Sequence, residues 1–158
     1  MIRSTAKAMI INDGKILLNR CYDSNNGHYY SLPGGGQHTY ETLCDALIRE
    51  CEEETGYEVK PLRFAALCEE ICMAENFREA YPDYAHKMYH IFICELSGGI
   101  VKEPTEKDSM QIGSGWIDIE ALRNIRLLPN VVGAQITNVL AGGAPVFLGS
   151  ERIRFNHG

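Results

Sequence analysis

Residues 35–57 read GGQHTYETLCDALIRECEEETGY, and this segment is the most informative part of the chain. Seven of its residues form one spaced pattern: Gly35, Glu41, Arg49, Glu50, Glu53, Glu54 and Gly56. If each residue type has a usage of about 6%, a chance match has odds on the order of 10⁻⁹ at each starting position. The acidic bias of the chain raises these odds without making the match accidental.

The stretch predicts a glycine turn followed by a helix from about Tyr40 to Thr55. Residues 39–42 (TYET) are typical of a helix start, and Gly56 suits a left-handed helix stop. The apolar residues at 43, 46 and 47 predict the side of the helix that faces the core. Glu52 points nearly the opposite way, so we expect it to be solvated.

Three carboxylates continue the core-facing side of this helix. At about 100° per residue, Glu50, Glu53 and Glu54 fall within an arc of roughly 100°. Such neighbours repel one another, and a hard divalent cation such as Mg²⁺ would remove the repulsion. The alternative is a solvated acidic helix face, which the charges alone leave open. The glycine turn and the position of Arg49 favour the metal site.

The turn before the helix is Ser31-Leu32-Pro33-Gly34-Gly35-Gly36. Glycines let the backbone approach a ligand closely, and the start of a helix attracts anions. Three glycines alone are more often a flexible turn than a phosphate-binding loop. Their position shortly before Glu41 favours the phosphate-binding interpretation.

Together these residues resemble the Nudix box, G-x5-E-x7-R-E-U-x-E-E-x-G-U, in which U is a bulky apolar residue. Cys51 and Tyr57 occupy the two U positions, where both can pack apolar surface. His38 and Tyr40 stand where many members of the family carry glutamate and glycine. Neither position belongs to the fixed letters, so the departure concerns substrate fit more than catalysis.

The resemblance implies a set of metal ligands. Nudix enzymes bind Mg²⁺ or Mn²⁺ through the box glutamates, which are Glu50, Glu53 and Glu54 here. The backbone carbonyl before the box glycine often joins them, and that carbonyl belongs to Gly34 in this chain. The expected cofactor is therefore Mg²⁺ or Mn²⁺ held by these four residues.

The resemblance also implies catalytic roles for Arg49, Glu50 and Glu53. Arg49 is expected to pair with Glu41 and so hold Glu50 in position, rather than to act on the substrate itself. The general base is left open between Glu50 and an acid of residues 103–108 (EPTEKD), because branches of the family place that role differently.

Composition bounds the class of protein. The chain has 158 residues, 45% of them hydrophobic, and a net charge of −6. These values predict one globular domain over residues 1–158 and argue against binding to duplex nucleic acid, which needs basic surface. Small phosphorylated molecules stay compatible with the charge, because bound cations reverse its sign locally.

The expected location is the cytoplasm. No apolar run approaches the ~20 residues of a membrane span, and no export signal is recognised. The six cysteines form no CxxC pair, which is typical of buried free thiols in a reducing compartment. The partner we expect is a small-molecule nucleotide substrate, with a homodimer left open.

The rest of the chain predicts strands and helices without regular βαβ alternation. Strands are expected at residues 5–11, 15–20, 28–32, 62–73, 87–96 and 114–117, with a hairpin turn at Asn12-Asp13-Gly14. A short helix should follow Asp118, a second should run from Pro129 to about Ala141, and residues 146–155 suggest a terminal hairpin. The fold class is therefore α/β, and the resemblance, over about residues 2–141, implies the Nudix α/β/α sandwich with a mixed sheet between helices.

The segment Glu75–His86 is a candidate for reading the substrate. It is long for a hairpin connection, and its aromatic residues include Phe77 and Tyr81, which could stack on a base. The alternative is a surface loop that its own aromatic side chains anchor to the core.

The expected activity is metal-dependent hydrolysis of a pyrophosphate bond in a nucleoside diphosphate linked to another group, such as ADP-ribose or a nucleotide sugar. One alternative is a pyrophosphohydrolase of oxidised nucleoside triphosphates. Another is a nucleotide-binding regulator without chemistry, although the box is intact at every fixed acidic position.

Overall fold

A computed structural model describes residues 1–99, 101–107 and 109–158 of the chain. Its strands are β1 Arg3–Asn12, β2 Lys15–Asp23, β3 Gly27–Ser31, β4 Gly34–Gly36, β5 Val59–Cys72, β6 His86–Leu96, β7 Gln111–Asp118, β8 Leu127–Leu128 and β9 Val146–Ile153. The α-helices are α1 Leu43–Thr55, α2 Glu75–Ala80 and α3 Asn130–Ala141, and short 3-10 turns cover Pro82–Tyr84 and Ile119–Asn124.

The strands form one mixed sheet in the order β8-β3-β2-β1-β6-β5-β9, with β4 paired to β1 and β7 paired to β2. The predicted hairpin joins β1 to β2, and both Asp13 and Gly14 have positive φ, as a tight primed turn requires. Strand β1 pairs with β4 along Thr5–Lys7 and with β2 along Ile10–Asn12. Strand β1 therefore changes partner along its length, from β4 in the glycine turn to β2 near the end of β1.

Helices cover both faces of the sheet. Ala46 and Leu47 of α1 pack in one buried cluster with Ala8 and Leu17 of the sheet. Met9, Ile16 and Leu18 belong to a second cluster with Val132 and Ile136 of α3. Neighbouring residues of β1 and β2 thus point to opposite cores, as alternation along a strand requires. The predicted α/β class with a mixed sheet between helices is confirmed.

Helix α1 begins at Leu43, three residues later than predicted. Thr42 caps the helix, because its side chain accepts from the backbone N–H of Asp45 while the Asp45 carboxylate accepts from the backbone N–H of Thr42. Tyr40 has a φ of 71°, which takes it out of the right-handed helix. Gly56 ends the helix with a φ of 78°, as predicted.

The predicted terminal hairpin is wrong. Residues 146–153 form the one strand β9, which runs parallel to β5. Gly149 has a φ of 114° at a register shift against Leu67 and Cys68, so the expected turn is a bulge within the strand. Strand β9 gains backbone hydrogen bonds from the edge of β5 that a separate hairpin would not make.

Two further segments differ from the sequence-based expectation. The segment Glu75–His86 contains α2 and a 3-10 turn rather than an extended loop. The helix expected after Asp118 is a 3-10 turn, and the Asp118 side chain makes no cap hydrogen bond. Within the described ranges, none of the helices is long and apolar enough to cross a membrane.

Candidate functional site

The backbone of Gly34 lies at the centre of the candidate site. Its N–H donates to Oε2 of Glu54 at 2.9 Å, and its carbonyl accepts from Nζ of Lys7 at 2.8 Å. Gly34 has a φ of 129°, and a Cβ there would stand 2.1 Å from the Ala6 carbonyl oxygen. Only glycine fits this contact, because any side chain would drive β4 away from β1.

Arg49 organises the acidic side of the site. Its guanidinium pairs with Glu41 at 2.7 Å, with Glu50 at 2.9 Å and with Glu53 at 3.3 Å. It also donates to the Gly36 carbonyl at 3.0 Å. The predicted Arg49–Glu41 pair is therefore present, and the same guanidinium fixes the Glu50 carboxylate. A planar fork with five donors suits this task better than a lysine would.

Glu54 is a buried carboxyl group. Its exposed fraction is 5%, and Nδ2 of Asn19 donates to its Oε2 at 3.1 Å. Burial raises the pKa of Glu54 to about 7, although the charge of Lys7 and the hydrogen bonds from Gly34 and Asn19 act in the opposite direction. A carboxylate in such surroundings would gain much from a bound cation.

A cavity of about 330 Å³ opens at these residues. Its lining comes from α1 (Glu50, Glu54), the glycine turn (Gly34, Gly35, Gly36), β1 (Arg3, Thr5, Lys7), β6 (Lys87, Tyr89), the 3-10 turn (Tyr84), the segment before β7 (Glu106, Lys107, Ser109, Met110) and the C-terminal segment (Asn156, His157, Gly158). The volume lies within the range of small-ligand sites. The lining combines the carboxylates of Glu50, Glu54 and Glu106 with the cationic side chains of Arg3, Lys7, Lys87 and Lys107.

The structure brings together three of the four predicted metal ligands. Gly34, Glu50 and Glu54 line the cavity, and a Cβ on Gly35 would stand only 2.6 Å from Cδ of Glu50. Glu53 does not line it: its carboxylate is directed to Arg49 and its side chain is 29% exposed. Its backbone carbonyl instead accepts from the N–H groups of residues 105 and 106.

The donor set fits a hard divalent cation in chemistry. The carboxylates of Glu50 and Glu54 and the carbonyl of Gly34 are oxygen ligands beside one cavity, as Mg²⁺ and Mn²⁺ require. Among the described residues, no group of three or more His, Cys, Asp or Glu side chains already stands at metal-binding distance. Glu106 is the loop acid that reaches the cavity, while Asp108 lies outside the described residues.

The predicted aromatic residues lie elsewhere. The ring of Phe77, on α2, contacts the ring of Tyr81, one turn later at the end of α2, with centroids 5.3 Å apart. Neither ring lines the cavity. Tyr84, from the same segment, does line it. The Arg3 guanidinium stands 4.5 Å from the centre of the Tyr84 ring and packs against Gly36.

A buried polar cluster surrounds Lys87, one of the cationic side chains that line the cavity. Glu70 is 1% exposed and accepts from Tyr89 Oη at 3.0 Å, lies 2.6 Å from Nε2 of His157 and pairs with Lys87 at 3.5 Å. Burial by itself would raise the pKa of Glu70, but these partners lower it below the usual value. Glu69 faces the other way, towards His86 and Ser150, as strand alternation predicts.

Sequence reasoning missed several residues of the site. Lys7 is a charged residue between two alanines in TAKAMII, and Asn19 directly follows the apolar run of ILLNR, and a polar residue at such a position is the signal that could have marked them. Residues 156–158 gave no signal, because their position depends on β9 pairing parallel to β5. Lys87 donates to Asn156 and to the carbonyl of His157, which brings this segment to the cavity.

Several known proteins are similar to this chain in sequence. A family model described as NUDIX domain matches residues 1–135. The NAD-capped RNA hydrolase NudC of Chromobacterium violaceum is 32% identical over 120 residues, which are 75% of this chain and 39% of that protein. The putative ADP-ribose pyrophosphatase YjhB of Bacillus subtilis is 24% identical over 98 residues, which are 61% of this chain and 43% of that protein. The chain spans less than half the length of these curated relatives.

Solved structures share the fold. A MutT protein from Bacillus halodurans superposes with a TM-score of 0.72 at 16% identity, over 96% of this chain and 90% of that chain. At that identity the likeness concerns the fold alone. The matched family region contains the glycine turn, α1 and most of the strands that position them. The chain belongs to the Nudix family.

Proposed function

We propose that this protein is a divalent-metal-dependent hydrolase that cleaves the pyrophosphate bond of a nucleoside diphosphate linked to a second group. The observation that carries the proposal is the meeting of Glu50 and the buried Glu54 at the glycine turn, in a cavity that cationic side chains also line. A pyrophosphate is anionic along its whole length, so a bound metal and cationic side chains can both stabilise its charge.

The metal would be held by Glu50, Glu54 and the Gly34 carbonyl. When bound, Mg²⁺ or Mn²⁺ supplies Lewis-acid polarisation of the phosphate and neutralises charge in the transition state. Glu53, the fourth ligand that the family resemblance implies, would have to leave Arg49 to take part. We therefore expect Glu54 to contribute more to metal binding than Glu53.

The chain's own residues provide positioning and proton transfer. Arg49 holds Glu50 through the fixed pair with Glu41, which reduces the freedom of the carboxylate before substrate arrives. Among the described residues, Glu50 and Glu106 are carboxylates that border the cavity and could accept a proton from the attacking water. A Glu106→Gln variant with wild-type turnover would exclude Glu106 as the base.

The names of two relatives and the size of the cavity support this substrate class. NAD and ADP-ribose, after which the two relatives are named, both join adenosine through a pyrophosphate to a second group. A cavity of about 330 Å³ suits part of such a molecule, with the remainder extending over the open side. Nucleotide sugars share this chemistry and belong to the same class.

The test is a hydrolysis screen with Mg²⁺ or Mn²⁺ against ADP-ribose, NAD, nucleotide sugars and nucleoside triphosphates. We expect metal-dependent cleavage of the diphosphate-linked compounds. Glu54→Gln should lower turnover by orders of magnitude, because it removes a charged ligand while conserving shape. The matched control is Glu52→Gln on the outer face of α1, where Glu52 pairs with Lys102, and it should be nearly silent.

The outcomes separate the classes of function. Preference for nucleoside triphosphates would identify a triphosphate pyrophosphohydrolase. Nucleotide binding without hydrolysis under any metal would identify a regulatory module. Equal losses in Glu52→Gln and Glu54→Gln would contradict the assignment of the site to the inner face of the helix.

A further inference from the structure

Lys7 is a buried lysine in the middle of the site. It is 9% exposed, between Ala6 and Ala8, which are fully buried in β1. A buried ammonium is costly unless charges or dipoles compensate it. Its Nζ donates to the Gly34 carbonyl in a buried hydrogen bond of 2.8 Å, so the structure holds a positive charge at this oxygen.

The position of this charge follows from the pairing of β1 with β4. Lys7 stands opposite Gly34 in the antiparallel ladder, and a Cβ on Gly34 would collide with the backbone of Ala6 and Lys7. The N–H of Gly34 donates to Glu54, so Lys7 and Glu54 bind the carbonyl and the N–H of the same residue. The Lys7 charge already offsets part of the burial cost of the Glu54 carboxylate. The Lys7 ammonium therefore compensates negative charge at this position, as a bound metal cation would.

We propose that Lys7 is a resident cation that competes with the divalent metal for the Gly34 carbonyl and, once displaced, binds a phosphate oxygen of the substrate. The inference rests on the proposed function and extends it to a residue outside the Nudix box. Two cations cannot share one carbonyl oxygen without strong repulsion. Lys7 also lines the cavity, and its flexible stem lets the ammonium turn towards bound phosphate.

This arrangement couples the two ligands. Without substrate, Lys7 opposes the metal, so the free protein binds metal weakly. With a pyrophosphate in the cavity, the displaced ammonium gains an anionic partner, and metal and pyrophosphate each strengthen binding of the other. Removal of the Lys7 charge should therefore change the two affinities in opposite directions.

The experiment compares wild type with Lys7→Met, which keeps most of the apolar stem. Mn²⁺ binding to the free protein is measured by electron paramagnetic resonance, and binding of inorganic pyrophosphate by calorimetry at saturating Mg²⁺. We expect Lys7→Met to bind Mn²⁺ about tenfold more tightly and pyrophosphate about tenfold more weakly, as for loss of one charged hydrogen bond. Lys15→Met, an exposed lysine of β2 with the same charge change, should alter neither value.

A charge-retaining variant tests the cause. Lys7→Arg keeps a cation, so its pyrophosphate affinity should return towards the wild-type value. Weaker Mn²⁺ binding in Lys7→Met would overturn the inference, because it would make Lys7 a support of the metal-binding carbonyl. Unchanged affinities for both ligands, with only a lower Tm, would also overturn it and leave Lys7 a structural residue.

A measurement on the unmodified protein covers the case in which Lys7→Met does not fold. Lysine-selective ¹⁵N labelling reports ammonium groups that are held in hydrogen bonds, and the signal absent from Lys7→Arg belongs to Lys7. Saturating Mg²⁺ should shift or remove this signal, and an unchanged signal would overturn the competition.

If wild type binds no Mn²⁺ in a Glu54-dependent way, the proposed function itself fails. Glu54-dependent binding that is indifferent to Lys7→Met rejects only the role of Lys7.

Discussion

Arg49 donates two parallel hydrogen bonds to the carboxylate of Glu41, from Nε to Oε2 at 2.7 Å and from Nη2 to Oε1 at 2.9 Å. The two residues are eight positions apart in the sequence, and the pair joins the segment just before α1 to the middle of that helix. Arg49 also binds Glu50, which lines the cavity, so the pair with Glu41 restricts the position of the Glu50 carboxylate as well.

The Glu41–Arg49 pair predicts a contribution to acid stability. The hydrogen bond from Arg49 lowers the pKa of Glu41 from the usual 4.5 to about 2. A lowered pKa means that the folded state holds the charged form, so this stabilisation is complete above about pH 4.5 and is lost as pH falls towards 2. Glu41→Gln should have a lower Tm than wild type at pH 6, and thermal melts should show the two curves converging by pH 2. A gap of constant size down to pH 2 would contradict the assignment.

Metal binding should stabilise the fold. Mg²⁺ or Mn²⁺ bound at Glu50 and Glu54 adds about 2.7 kcal/mol at a concentration 100 times its Kd, which is roughly 5–10 °C in Tm for a chain of this size. The measurement is a thermal melt with and without metal. Glu54→Gln should abolish most of the shift, and Glu53→Gln should reduce it less, because Glu53 is directed to Arg49. Retention of the full shift in a Glu53→Gln/Glu54→Gln double variant would place the metal elsewhere.

The local parts of the fold were predictable from the sequence. The hairpin at Asp13-Gly14 and the helix stop at Gly56 depend on residues close in sequence, and the sequence carries their signals. The Glu41–Arg49 pair was expected from the resemblance to the Nudix box. The position of β9 was not predictable, because its parallel pairing with β5 joins segments about 80 residues apart. Pairing of this kind depends on the completed sheet rather than on local propensity.

The candidate site divides in the same way. Spacing on α1 correctly placed Glu50 and Glu54 together, but periodicity gave no means of separating Glu53 from them. Its side chain is instead directed to Arg49 within the same helix, as an i, i+4 ion pair. Lys7 comes from a strand that precedes the box by almost thirty residues, and only the β1–β4 ladder brings it to Gly34.

Tyr40 offers a test of the departure from the family pattern. It stands where many Nudix proteins carry glycine, it has a φ of 71°, and it is fully exposed. Glycine adopts this conformation without steric cost, whereas a side chain costs about 1–2 kcal/mol, partly offset by the greater chain entropy of glycine when unfolded. Tyr40→Gly should therefore raise the free energy of unfolding by about 0.5–1 kcal/mol in urea denaturation.

Tyr40→Ala is the matched control for that change. Alanine removes the exposed ring but keeps the Cβ that causes the strain, so its stability should stay near that of wild type. A gain of equal size in Tyr40→Ala and Tyr40→Gly would show that the ring, rather than the backbone conformation, is unfavourable.

The last prediction concerns the aromatic residues of the segment Glu75–His86. Their alanine variants distinguish a role in substrate recognition from a role in packing. Tyr84 lines the cavity beside Arg3, so Tyr84→Ala should raise KM for the best substrate about 5- to 150-fold, as loss of a stacking partner for a base would. The ring centroids of Phe77 and Tyr81 lie 5.3 Å apart, and neither ring lines the cavity. Steady-state kinetics of the three alanine variants distinguishes these cases, with Mn²⁺ affinity as a control that none should alter. A raised KM in all three variants would indicate that the segment closes as a unit. A raised KM in Phe77→Ala and Tyr81→Ala alone would contradict the assignment to Tyr84.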